Sequence, residues 1–234
     1  MSPGVMEIFK FAFKVAPYLM KARDGGIFSL IAGDAPPTGS SSHVASAMGQ
    51  ALQTVKDKKG SVTVLLGTRS TGKSELAYRL AEFYARPTFA VSPEQRPPAW
   101  IRPIGLGDID KVVPPRSTLI LDDLPVYASN RDYNNQLVQA LERIIPMVRH
   151  RRQLHLIFCS QNSAQADKCI LDCDLAFLKP LGILCQDVER PFIRRVYKED
   201  VDPEFEGKGE SWIVRHAFMM SRTYKGIVEI ARAR

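Results

Sequence analysis

The sequence predicts an α/β protein, a mostly parallel central sheet flanked by helices on both faces. Three observations carry this. Short apolar or β-branched runs recur along the chain: "SVTVLL" at 61–66, "TFAVS" at 88–92, "STLILDDL" at 117–124, "LHLIFCSQN" at 154–162 and "DLAFLK" at 174–179. Helical patterns stand between several of them, and strands alternating with helices imply parallel pairing through crossovers. The first run leads directly into the glycine-containing "GTRSTGKS" and then into a helix, so strand, tight loop and helix follow without a gap.

In chain order, residues 6–23 read as a short helix with Ile8, Phe9, Phe11, Phe13 and Val15 crowded together, bent or interrupted at Pro17. Residues 1–31 are therefore expected as an apolar and basic helical extension, suited to packing on the main domain, on a neighbouring subunit or at a membrane surface. "AGDAPPTGSSSH", at 32–43, has the Pro, Gly and Ser content of a linker or exposed loop. Residues 44–234 form the main domain. A helix is expected from Val44 to about Lys56, then the 61–66 strand, short enough and apolar enough to be buried on both faces. "KSELAYRLAEFYA" continues as a helix with Leu76, Leu80 and Phe83 on one side, and "PEQRPPAWIRP" reads as a proline-rich connection. "NNQLVQALERIIPMVRHRR", at 134–152, is amphipathic with Leu137, Leu141, Ile144 and Ile145 as its stripe. The tail at 211–233 reads as a strand pair.

Composition narrows the partners. With 32 Lys+Arg against 25 Asp+Glu, the net charge is +7, which favours an acidic partner such as nucleic acid or an anionic surface. No apolar run approaches the ~20 residues that span a bilayer, and residues 5–23 lack a signal peptide's cleavage site. A soluble protein of the cytoplasm is the expectation. The four cysteines, Cys159, Cys169, Cys173 and Cys185, match no zinc or disulfide spacing and read as buried thiols.

The chemistry concentrates at residues 67–75. Gly67, Gly72, Lys73 and Ser74 satisfy G-x-x-x-x-G-K-[ST], the phosphate-binding loop of P-loop NTPases. Glycines allow several backbone N–H groups to converge on a phosphate, and the helix opening near Lys73 adds the positive end of its dipole. Gly67, Thr68, Arg69, Ser70, Thr71, Gly72, Lys73, Ser74 and Glu75 are expected to hold ATP, with Lys73 on the β- and γ-phosphates and Ser74 on Mg²⁺. Asp122, ending an apolar strand, is the second expected Mg²⁺ ligand, because ligands of open α/β sheets bind at the carboxyl ends of strands. Asp123 is the candidate to activate the attacking water, with a loop or helix cap as its structural alternative. A strand ending in Ser160, Gln161 and Asn162 is suited to sense the γ-phosphate if it lies between the loop strand and the Asp122 strand, the arrangement of the additional-strand class of P-loop ATPases.

At "GTRSTGKS", "LILDD", "MVRHRRQLHLIFCSQN" and "DLAFLKP" the chain resembles the FtsK–HerA superfamily of P-loop ATPases, and within it the viral DNA-packaging ATPases. The likeness covers roughly residues 60–200. It implies a homo-oligomeric ring that draws double-stranded DNA through its centre, in a host cell or on an assembling virion; residues 1–31, outside the likeness, are candidates to contact a portal, a capsid or a membrane. It implies that Gln161 couples phosphate state to movement, and that Arg149, Arg151 or Arg152 is a finger donated to the neighbouring subunit. Such a finger is worth on the order of 10³–10⁵ in rate. The alternative for this cluster is compensation of a helix end, worth roughly 0.3–1 kcal/mol. Asp123 departs from the glutamate usual in these motors. "LILDDL" also resembles AAA+ replication-initiation ATPases, though the strand-like tail does not fit their helical lid. A low-turnover nucleotide switch in assembly is the third reading. No base-reading motif is evident, so any DNA contact is expected at the phosphates and to be salt-sensitive.

Overall fold

A computed structural model describes residues 20–23, 27–28, 41–91, 96–122, 148, 152–161, 173–182 and 191–230. The parallel part of its sheet contains β3 (Ser61–Leu66), β4 (Thr88–Val91), β5 (Ile101–Pro103), β6 (Thr118–Leu121), β7 (His155–Ser160) and β8 (Leu175–Leu178). The antiparallel part contains β1 (Met20–Arg23), β2 (Ile27–Phe28), β9 (His216–Met220) and β10 (Lys225–Ile230). Across the sheet the order is β2-β1-β10-β9-β8-β3-β7-β6-β4-β5. All residues of β3, β4, β6 and β7 are buried, which is why these segments read as continuous apolar runs instead of alternating ones.

Alternation still decides which face each side chain enters. Leu65, Ile120, Ile157 and Cys159 join one core cluster with Met48, Leu52 and Val55 of α1 (Ser41–Lys56) and Leu76, Leu80 and Phe83 of α2 (Lys73–Tyr84). Val64, Leu66, Leu121 and Phe158 enter the opposite cluster. There they meet Ile109 of α3 (Ile109–Val112), Ile193 of α4 (Pro191–Val196), Tyr197 and Val201 of the π-helical turn after it, and Phe205 of α5 (Asp202–Phe205). The two faces are thus covered by different helices, as the sequence pattern requires.

The structure differs from the sequence reading at three places. Met20–Arg23 is not the end of a helix: it pairs antiparallel with β10, Met20 opposite Ile230 and Lys21 opposite Glu229. Docking on the sheet edge satisfies backbone groups that helical periodicity alone does not account for; the remainder of 6–23 lies outside the described residues. The proline-rich connection contains β5, an edge strand beside β4, where Pro103 is tolerated because an edge has one unpaired side. The tail is a strand pair, as expected, but residues at its start form a helix, α6 (Glu210–Arg215), before β9 begins. The 134–152 helix lies outside the described residues except for Val148, which is helical and buried, and Arg152.

Candidate functional site

β3 ends at Leu66, and the loop that follows is suspended between its two neighbours. Gly67 N donates to Ser160 O of β7 at 3.2 Å, while Thr68 N donates to Pro180 O, just beyond β8, at 3.0 Å. Within the loop, Ser70 (φ 59°) and Gly72 (φ 84°) take left-handed backbone conformations. Left-handed residues of this kind are what let successive backbone N–H groups converge on an anion. A Cβ on Gly72 would lie 2.7 Å from Val214 O, so the close approach of α6 requires glycine there. Gly72 also caps α2 without any side-chain hydrogen bond to that helix's first amides, and this twelve-residue helix brings its positive end to the same point.

Lys73, 7% exposed, donates from Nζ to Thr68 O at 2.7 Å. Its ammonium therefore lies over the loop it must serve. Thr71 Oγ1 donates to the same carbonyl at 2.8 Å. Ser74 and Glu75 are half-buried in the first turn of α2, whereas Arg69 and Ser70 are exposed at the loop's tip. Glu75 faces Arg79 one turn on, 4.0 Å away. The Ser74 hydroxyl, the loop amides and the Lys73 ammonium form a donor and ligand set that fits a triphosphate with Mg²⁺.

Asp122 follows β6 directly. It is 2% exposed, and its N–H donates to Val91 O at 3.0 Å. β7 pairs parallel with both β3 and β6: Phe158 is opposite Val64 on one side and Leu121 on the other. Two strand spacings of about 4.8 Å separate the loop strand from the Asp122 strand, a gap that a hydrated metal ion and phosphate oxygens can bridge. Ser160 is the last residue of β7, opposite Leu66, and half-buried Gln161 comes next, level with the first residue of the loop. The intervening strand expected from sequence is therefore present. The fold is that of a P-loop NTPase with the additional central strand.

Asp123, Asn162, Arg149 and Arg151 lie outside the described residues. Arg152 is described, and its place is internal. Its Nη1 donates to Ile109 O and Val113 O at 3.3 and 3.2 Å, and its Nη2 donates to Asp110 O at 2.9 Å and pairs with Asp110 Oδ1 at 3.2 Å. This guanidinium closes the end of α3. Cys159 is buried in β7, as a small apolar group would be. Lys179, immediately after β8, escaped the sequence reading. Its signal was a lysine abutting a buried apolar strand, a position where an unpaired charge is costly.

In sequence the chain matches no family model and no curated protein. Among solved structures, a protein described as an ATPase is similar over 98% of this chain and 94% of its own, at 12% identity and a TM-score of 0.49. The RadB recombinase is similar over 56% of this chain and 81% of its own, at 12% identity and a TM-score of 0.41. EccC of Thermomonospora curvata (ATPases 2 and 3, with a signal sequence peptide) covers 75% of this chain at 11% identity and a TM-score of 0.45, and the match spans only 37% of that chain. Likenesses this distant say nothing of substrate or partner. Among the described residues, no helix is long and apolar enough to cross a membrane.

Proposed function

We propose that the chain is an ATP-hydrolysing motor that translocates double-stranded DNA, acting as a homo-oligomeric ring in the packaging of a viral genome. The observation that carries this reading is β7, lying between β3 and β6 and ending at Ser160, with Gln161 next to it, beside Gly67. A polar side chain on a strand bonded to both neighbours can respond to the γ-phosphate and pass the response into the sheet.

In this reading Lys73 and the loop amides hold the phosphates, and Ser74 and Asp122 hold Mg²⁺, which neutralises charge between the β- and γ-oxygens. Asp123 takes the proton of the attacking water, and Gln161 reports the phosphate state. The finger reaching a neighbour's site is Arg149, Arg151 or Arg152, the last of which is held on α3 within the chain. The excess of seven positive charges suits contact with DNA phosphates. The exposed Arg194, Arg195 and Lys198, on and just after α4, are cations that suit such contact.

Steady-state ATP hydrolysis with and without long double-stranded DNA, at low and moderate salt, tests the proposal. Stimulation that fades as salt rises is expected for a motor that tracks phosphates. Turnover indifferent to DNA would remove DNA as the track. Nucleotide binding without turnover would leave the switch reading in its place.

A further inference from the structure

Lys179 leaves the carboxyl end of β8 and is 1% exposed. Its Nζ donates to three backbone carbonyls: Ile213 O at 2.8 Å, Val214 O at 3.0 Å and His216 O at 2.7 Å. They belong to the last turn of α6 and the first residue of β9. An ammonium has three protons, and here each meets one acceptor. The lysine's main chain is fixed as well. Its N–H donates to Leu66 O at 2.8 Å, and its carbonyl accepts from Tyr197 Oη at 3.1 Å.

The same residue touches the phosphate loop from below. A Cβ on Gly67 would meet Lys179 Cβ at 2.7 Å, just as one on Gly72 would meet Val214 O at 2.7 Å. The end of α6 thus sets one of the three carbonyls that Lys179 binds, Val214 O, against the loop. Carbonyls carry partial negative charge, and beside a site for phosphate they oppose binding unless a cation answers them.

We propose that Lys179 is a positioning residue of the nucleotide site: its ammonium ties the end of α6 to the phosphate loop and cancels the carbonyl charge that would otherwise face the bound phosphates. The inference rests on the reading of residues 67–75 as a nucleotide site. The titratable groups facing Lys179 are Lys73 from α2, His216 from β9 and Tyr197 from the turn after α4. Burial, and after it the positive charge of Lys73, pull the Lys179 pKa down to about 7. An arriving anion raises it again. Binding above neutrality therefore takes up a proton, and affinity falls as pH rises from the free towards the bound pKa.

Calorimetric titration of MgATP at about pH 8, in two buffers of different ionisation enthalpy, reads that uptake. His216 does not confuse the reading, because burial lowers its pKa further below that pH. The wild-type protein is expected to take up a substantial fraction of one proton. Lys179→Met, similar in length but uncharged, is expected to take up much less and to bind at least about tenfold more weakly, the effect of one pKa unit. Lys179→Arg keeps a charge that does not titrate, and should recover affinity without uptake. Where Lys179→Met fails to fold, Lys179→Arg decides: loss of the uptake with affinity retained supports the inference, and uptake equal to wild type overturns it. Tight wild-type binding without uptake, or equal uptake in Lys179→Met, overturns the inference. Lys73→Ala controls the reading beneath it: a wild-type protein that binds no MgATP, or a Lys73→Ala variant that binds it normally, would remove the nucleotide site itself and this inference with it.

Discussion

Gly72→Ala puts the geometry of the phosphate loop to a quantitative test. Two costs are built into the position. At φ 84° and ψ 24° the backbone is left-handed, which costs a residue with a Cβ roughly 1–2 kcal/mol. The new methyl group would also lie 2.7 Å from Val214 O, inside van der Waals contact and against a carbonyl that Lys179 holds at 3.0 Å. Relief requires a shift of backbone on one side or the other, and overpacking of this kind costs about 1–3 kcal/mol. If the loop keeps its shape, the total of about 2–5 kcal/mol appears as lost stability. In a chain of this size that lowers Tm by roughly 4–20 °C. If the loop yields instead, its amides no longer converge and the cost appears as weaker ATP binding, tenfold for each 1.4 kcal/mol. Thermal melts with and without MgATP, together with a direct binding isotherm, separate the two routes. Their sum should reach at least about 2 kcal/mol. A variant with unchanged Tm and unchanged affinity would refute both the left-handed cradle and the approach of α6 to it.

Two further outcomes are specific to named residues. Asp123→Asn should keep ATP binding and lose turnover; undiminished turnover would move the water-activating group elsewhere. His155 is held neutral in the sheet: burial first, then the charge of Arg86, push its pKa down to about 3 from 6.5. Between those values the unfolded chain binds the proton that the folded one refuses, so stability falls as pH drops from 6.5 towards 3, by about 1.4 kcal/mol per unit at most. Urea unfolding at pH 7, 5.5 and 4.5 should show this slope, and His155→Phe should flatten it. An unchanged slope in the variant would mean that another group titrates.

Some elements were legible because one local pattern determines them. β3, the loop and α2 are contiguous, so the motif and the change in hydrophobic period locate one another at Leu66 and Lys73. β6 and β7 were legible as apolar runs, and their polar ends marked the carboxyl edge of the sheet. The position of β7 between β3 and β6 was legible only as a condition, since strand order is a non-local property. Met20–Arg23 was misread because its strand character comes from pairing with β10, more than 200 residues later, while its own sequence continues an apolar helical pattern. β5 was hidden by prolines that an edge strand can accommodate. The role of Lys179 was not legible for a related reason: its three acceptors come from α6 and β9, more than thirty residues downstream.

Arg152 shows how the amino ends of the strands differ from the carboxyl ends. At the amino end, polar groups are turned towards the protein itself. Ser61 Oγ meets His155 Nδ1 at 2.5 Å, and Tyr84 stacks on that imidazole at 4.3 Å. Asp174 pairs with Lys58 and accepts from Val62 N at 2.9 Å. Arg86 donates to the carbonyls of Lys58, Lys59 and Gln153. Arg152 belongs to this set, because its donors are directed to Ile109, Asp110 and Val113. Arg152→Ala strips those carbonyls of a charged partner, and hydrogen bonds to a charged group are worth about 1.5–3 kcal/mol. Partial exposure of the pair with Asp110, whose own side chain is 52% exposed, brings the expected loss to roughly 1–2 kcal/mol. Tm should fall by several degrees, while turnover per folded protein stays within about twofold of wild type. If the protein assembles as the proposed ring, doping the variant into wild-type protein should leave the rate proportional to the folded protein present, whereas loss of a trans finger would silence the neighbouring site. A steep loss of turnover on doping, with Tm unchanged, would instead identify Arg152 as the finger of the proposed ring, released from α3 on assembly.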